Sequence, residues 1–192
     1  MKGIPLTIPN MITLFRIALI PVFVLAFIIP SYTNQHIVLV SLFFLASVSD
    51  AIDGYLARKL KQESAFGAFL DPVADKLMVT TAMVLLVYKY HDLYIVLPAL
   101  VIVGRELAIS ALREWMANLG AQAKVKVHFI GKLKTGSQLW AIGFLLYDQP
   151  IGSFEPTVVG YVLLYIATVL TLWSMVVYLM AAWPSIRDNE KP

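Results

Sequence analysis

The sequence predicts an all-α fold, a polytopic membrane protein of six transmembrane helices preceded by a short N-terminal interfacial amphipathic helix. Three observations carry that expectation. The 192 residues are 59% hydrophobic and 14% charged, with a mean hydropathy of +0.77, whereas soluble domains are about half apolar and a quarter charged. Six apolar stretches reach or approach the length of about 20 residues that a helix needs to cross a bilayer. No period-two alternation persists, which argues against a β-barrel. A chain of this length has room for a single domain, expected to cover residues 1–192.

Residues 4–16 mix polar groups with Ile8, Met11, Ile12 and Phe15, the pattern of a helix lying in the membrane interface. This segment leads into a first span near 13–30. A cleaved signal peptide fits the region poorly. Lys2 and an apolar run suit one, but no small-x-small site precedes Ser31, and Asn10 and Arg16 interrupt the pattern. The second span falls near 36–58 and carries Asp50 and Asp53. The third, near 66–88, carries Asp71, Asp75 and Lys76. The fourth, near 93–116, contains Arg105 and Glu106, and the fifth and sixth lie near 132–148 and 157–182.

Basic residues set the orientation. Lys59 and Lys61 lie between the second and third spans, and Arg113, Lys124, Lys126, Lys132 and Lys134 in or beside the connection from fourth to fifth. Lys2 and Arg16 stand at the first span, Arg187 and Lys191 after the sixth. The opposite loops hold Lys89 beside Asp92, Asp148 and Glu155. The positive-inside rule therefore puts both termini and the loops 59–65 and 117–131 in the cytoplasm. This distribution accounts for the net charge of +3 without nucleic acid as a partner, since no basic tail or aromatic RNA-binding motif is present. The absence of cysteine excludes disulfide scaffolds, thiolate catalysis and cysteine-bound metals. His36, His91 and His128 have no metal-ligand spacing.

The chemistry concentrates in two short stretches. Asp50 and Asp53 are three apart, and Asp71 and Asp75 four apart, so on helices each pair shares a face. A short cytoplasmic turn makes the two helices antiparallel neighbours, and all four carboxylates can converge near one membrane surface. Four such groups at membrane depth repel and are poorly solvated. Structural ion pairs with Arg58, Lys76 and Arg105 could relieve one aspartate, but four at this spacing point to bound cations. Aspartate oxygens without His or Cys favour hard divalent ions such as Mg²⁺, Mn²⁺ or Ca²⁺. Four negative charges match two ions, an arrangement suited to clamping a phosphate or pyrophosphate.

The pattern Asp50-x2-Asp53-Gly54-x2-Ala57-Arg58-x8-Gly67-x3-Asp71-x3-Asp75 resembles the complete motif of the CDP-alcohol phosphotransferases, with all eight positions filled. The resemblance extends to the number of spans and the overall length. It implies a donor of the CDP-diacylglycerol type, an alcohol acceptor and CMP as leaving group. It places metal ligands, Mg²⁺ or Mn²⁺ and two per site, on Asp50, Asp53, Asp71 and Asp75, with Asp75 also the general base. It places CDP-diacylglycerol contacts on Gly54, Arg58, Ser64 and Gly67, and on Asn10 and Thr13 of the N-terminal segment. For the glycines and Ala57 close helix packing is the alternative, and for Asn10 helix capping.

Gly104-Arg105-Glu106 and Gly131-Lys132-Leu-Lys134-Thr135 resemble motifs of the branch of that family whose acceptor is glycerol 3-phosphate. Arg105, Lys132 and Lys134 would then receive the acceptor phosphate; otherwise they are positive-inside charges with snorkelling side chains. The resemblance further implies a homodimer among membrane lipids, in a plasma membrane of bacterial type with the active site cytoplasmic. Other acceptors, namely inositol or its phosphate, serine or phosphatidylglycerol, stay open. A divalent-cation transporter is the rival from a different class. It should continue its polar path to the far surface, whereas the first and sixth spans are almost uncharged.

Overall fold

The computed structural model describes residues 7–29, 34–60, 65–118 and 128–189. They form six helices: α1 (Ile8–Ile28), α2 (Gln35–Leu60), α3 (Ala65–Tyr90), α4 (Leu93–Asn118), α5 (His128–Tyr147) and α6 (Pro156–Asn189). Each matches one expected apolar stretch, and the described residues contain no strand beyond an isolated bridge between Ile151 and Phe154. Among the described residues, three segments are long and apolar enough to cross a membrane by themselves: Ile8–Ile28, Leu93–Ala117 and Pro156–Trp183. In α2 and α3 the apolar run is shortened by the aspartates, and in α5 by Lys132 and Lys134.

The start of the chain differs from expectation. Residues 8–16, the described part of the expected interfacial helix, are the first turns of α1 with no break. Pro9 sits in the opening turn, where its missing N–H has no helical partner to lose, and Asn10 to Ile20 contain no residue that would end a helix. α6 runs on to Asn189 and α5 begins at His128, beyond the apolar runs, because a helix once nucleated extends through polar residues at little cost.

Polar side chains close the helix ends. The Gln35 amide donates to the carbonyls of Ala26, Phe27 and Ile29, which lack helical partners at the end of α1. Asp92 caps α4, its carboxylate accepting the Tyr94 N–H at 3.0 Å. The connection before it turns on His91, at φ 49°.

The chain divides into two compact units. The first comprises Met1–Lys89 and Gly143–Thr157, the second Tyr90–Ile142 and Val158–Pro192. In the first, Phe23, Phe43, Ala46, Ala74 and Met83 are fully buried, with the Phe23 and Phe43 rings 6.5 Å apart. Gly143 lets α5 approach Phe44, since a Cβ there would stand 2.7 Å from that ring. In the second, Ile95, Ile102, Ile142, Leu164 and Ala167 form the core. Large apolar side chains such as Leu25, Leu100, Val169 and Trp173 point outward, as they do where the surrounding solvent is hydrocarbon.

Candidate active site

In the first unit, α1 gathers the aspartate-bearing helices. Thr13 and Arg16 are one helical turn apart and so share a face. Arg16 donates from Nη1 to Asp50 Oδ1 on α2, and Thr13 Oγ1 donates to Asp71 Oδ1 on α3 at 2.7 Å. Two carboxylates 21 positions apart in sequence are therefore held by residues about one turn apart on α1. Arg16 and Thr13 are almost wholly buried, as is Asn10, whereas the Asp50 side chain is 45% exposed. The burial is asymmetric: the supporting residues are inside and the carboxylates reach towards an open surface. Asp75, one turn beyond Asp71, is exposed, and Gly67 is buried. The side chains of Asp53 and Arg58, the surroundings of Gly54 and the whole of Ser64 lie outside what the structure describes.

Among the described residues no three His, Cys, Asp or Glu side chains stand together at metal-binding distance. The donor chemistry nonetheless fits a hard divalent ion. Asp50, Asp71 and Asp75 offer carboxylate oxygens alone, and Arg16 and Thr13 hold the first two from behind, as outer partners of metal ligands do.

The second unit holds a separate polar cluster. Arg105 and Lys134 are each 7% exposed, and both donate to Glu106 Oε1, Arg105 from Nη1 at 3.1 Å. Arg105 Nη2 donates to Ser174 Oγ on α6 at 3.0 Å. The Tyr178 ring lies under both the Arg105 and Arg113 guanidinium groups, at 5.7 and 5.9 Å, within cation–π range. Lys132, by contrast, is exposed. The register of α5 separates the two lysines: two positions along a helix is about 200°, so Lys132 and Lys134 face opposite ways.

At the other end of the first unit, 14 residues and about 21 Å along α3 from Asp75, a cavity opens beside Gln35, His36, Lys89, Tyr147 and Asp148. Lys89 pairs there with Asp148 at 2.9 Å.

Residues 6–173 match the sequence model of the family described as CDP-alcohol phosphatidyltransferase. The chain belongs to this family. It is therefore an enzyme, and phosphatidyltransferases of this family generally depend on a divalent metal. Similar curated proteins include one from Haemophilus influenzae, 49% identical over 95% of this chain and 96% of its own length. Others come from Pseudomonas fluorescens, 49% identical over 97% and 95%, and Yersinia pestis strain Pestoides F, 49% identical over 95% and 98%. All three carry the name CDP-diacylglycerol--glycerol-3-phosphate 3-phosphatidyltransferase.

Three residues of these two clusters make contacts that the sequence alone does not predict. Arg16 satisfies the positive-inside rule, Glu106 stands in the Gly104-Arg105-Glu106 motif without a role of its own, and no pattern marks Ser174. A signal for the first two existed, since an arginine in an apolar run needs a counter-charge nearby. Ser174 offered none, because a lone hydroxyl in a span usually serves helix packing.

Proposed function

We propose that this chain transfers the phosphatidyl group from CDP-diacylglycerol to sn-glycerol 3-phosphate, giving phosphatidylglycerol phosphate and CMP. The observation that carries the reading is the 49% identity, over 95–97% of the chain, to relatives named for that reaction. The carboxylates that α1 draws together supply the site. The family match runs through both compact units, so residues 1–192 act as one catalytic domain.

Asp50, Asp53, Asp71 and Asp75 would hold two divalent ions, Mg²⁺ or Mn²⁺, which when bound neutralise the pyrophosphate and its developing charge. Thr13 and Arg16 fix Asp71 and Asp50 through one oxygen each, leaving the second oxygen of each carboxylate for a cation. Asp75 accepts the proton of the acceptor's primary hydroxyl, whose oxygen attacks the lipid-side phosphorus as the bond to CMP breaks. Arg58 donates to the phosphate of the departing CMP, and Gly54, Ser64 and Gly67 let the nucleotide approach the backbone, with Asn10 and Thr13 at the donor's edge. Arg105 and Lys134, with Lys132 nearer solvent, attract the acceptor's phosphate.

All six helices span the membrane, with both termini and the site on the cytoplasmic side, where the basic loops lie. The active form is a homodimer in a bacterial-type plasma membrane. The decisive experiment supplies purified protein with CDP-diacylglycerol and, separately, glycerol 3-phosphate, inositol, inositol phosphate, serine and phosphatidylglycerol, and measures CMP release. Glycerol 3-phosphate should be the productive acceptor. Faster release with any other would replace this reading.

A further inference from the structure

We propose that Glu106 is a positioning residue of the acceptor subsite, holding Arg105 and Lys134 together as one doubly charged receptor for the acceptor phosphate. The inference rests on the reading above that these two cations receive that phosphate.

Arg105 of α4 and Lys134 of α5 are both buried, and both donate to a single atom, Glu106 Oε1. Two buried cations repel each other, and each is costly to bury without a counter-charge. By accepting from both, Glu106 turns that repulsion into a fixed geometry. It keeps the two donor nitrogens within twice 3.1 Å of one another, a span that the oxygens of one phosphate can bridge.

The guanidinium is locked on its other sides as well. Nη2 donates to Ser174 Oγ at 3.0 Å, and that hydroxyl donates to the Thr171 carbonyl at 2.9 Å. Tyr178 lies beneath the group. Arg105 Nε is left, buried and without a hydrogen-bond partner. Buried charged donors are rarely left so, and an anion drawn into the cluster would complete this one. Charge points the same way: among the described contacts two cations share one carboxylate, and Arg113 shares the Tyr178 ring. Glu106 thus makes the pair tolerable before the acceptor arrives without cancelling its attraction for an anion.

The test uses the full-length protein in detergent or nanodiscs, with CMP release measured while glycerol 3-phosphate and CDP-diacylglycerol are varied separately. Glu106→Gln keeps the shape but removes the charge, and should raise the KM for glycerol 3-phosphate about ten-fold, the scale of one charge-assisted contact. The kcat and the KM for CDP-diacylglycerol should stay within about two-fold, which a merely structural role would not predict. Glu106→Asp retains the charge on a shorter arm and should fall between, carrying the test if the Gln variant does not fold. Because Glu106 acts through Lys134, the effect of Glu106→Gln should shrink to less than about three-fold in a Lys134→Ala background. Full additivity with Lys134→Ala, equal rises in both KM values, or a lowered KM for glycerol 3-phosphate in Glu106→Gln would each overturn the proposal. If Lys134→Ala and Arg105→Ala raise that KM while Glu106→Gln does not, the positioning role fails and the subsite reading survives. If none of the three raises it, the subsite reading itself has failed.

Discussion

Replacing Thr13 by valine removes a single hydroxyl from behind the aspartates and preserves nearly everything else. Valine has the same β-branched shape. The lost group donates to Asp71 Oδ1 at 2.7 Å. The Pro9 carbonyl at 3.1 Å, an alternative acceptor for the same single proton, keeps its place in the helical ladder. A hydrogen bond to a charged group is worth about 1.5–3 kcal/mol. Asp71 is half-buried, so water can partly replace the hydroxyl and the lower end applies, about 1.5 kcal/mol, or ten-fold in any equilibrium that depends on the orientation of Asp71. With Asp71 as a metal ligand that equilibrium is cation binding, and losing an outer partner typically costs about ten- to hundred-fold in metal affinity.

Thr13→Val should therefore shift the midpoint of a Mg²⁺ titration of CMP release upward by about ten-fold, with the rate at saturating metal largely kept. Thr13→Ser should restore the midpoint, because it returns the donor without the methyl group. The melting temperature should fall by about 3–6 °C, from about 2–4 °C per kcal/mol for a chain of this size. A midpoint within two-fold of the parent in a folded Thr13→Val protein would refute the reasoning, as would a serine variant as impaired as the valine one.

Asp75→Asn should abolish CMP release while the melting temperature stays within about 2–4 °C of the parent, because the position is exposed and substitutions there carry little stability; substantial turnover would remove Asp75 as the base. Lys134→Ala should raise the KM for glycerol 3-phosphate by about ten- to hundred-fold, whereas Lys132→Ala, at an exposed position, should change it less than about three-fold, and equal effects would sink the distinction drawn from the register of α5. Gly143→Ala places a Cβ 2.7 Å from Phe44 Cε2 and 3.0 Å from Cζ, an overpacking of about 1–3 kcal/mol against a helix-propensity gain of about 1 kcal/mol. Gly136→Ala meets nothing within 4 Å and should only gain, so melting curves of the two variants should move in opposite directions.

What was legible in the sequence follows from what is local. In hydrocarbon every backbone group must be satisfied within its own segment, so apolar runs broken by short polar links can only be helices, and the described residues form a helix at each of the six apolar stretches. The aspartate pairs were legible because spacings of three and four act within one helix, and their partners α2 and α3 are consecutive. The role of Arg16 was not, because its burial depends on α2 packing against α1, 34 residues away at Asp50. An arginine in an apolar run signals that a counter-charge is near, but at the edge of the run it satisfies the positive-inside rule equally well, and which residue answers it is not a local property. Thr13, linked through the family motif to the lipid donor, proves to face Asp71 across 58 residues.

Glu106 shows the limit most clearly. Adjacent residues on a helix diverge by about 100°, so Arg105 and Glu106 do not read as a pair along α4. They become one only when Lys134 arrives from α5 on the same oxygen and Ser174 from α6 holds the far side of the guanidinium. Charge placed in an apolar helix states that a partner must exist, since the desolvation cost is otherwise several kcal/mol per ion. Which residue answers is decided by packing between helices, and it is there, on α1 behind the aspartates and between α4, α5 and α6, that the structure adds most to the chemistry.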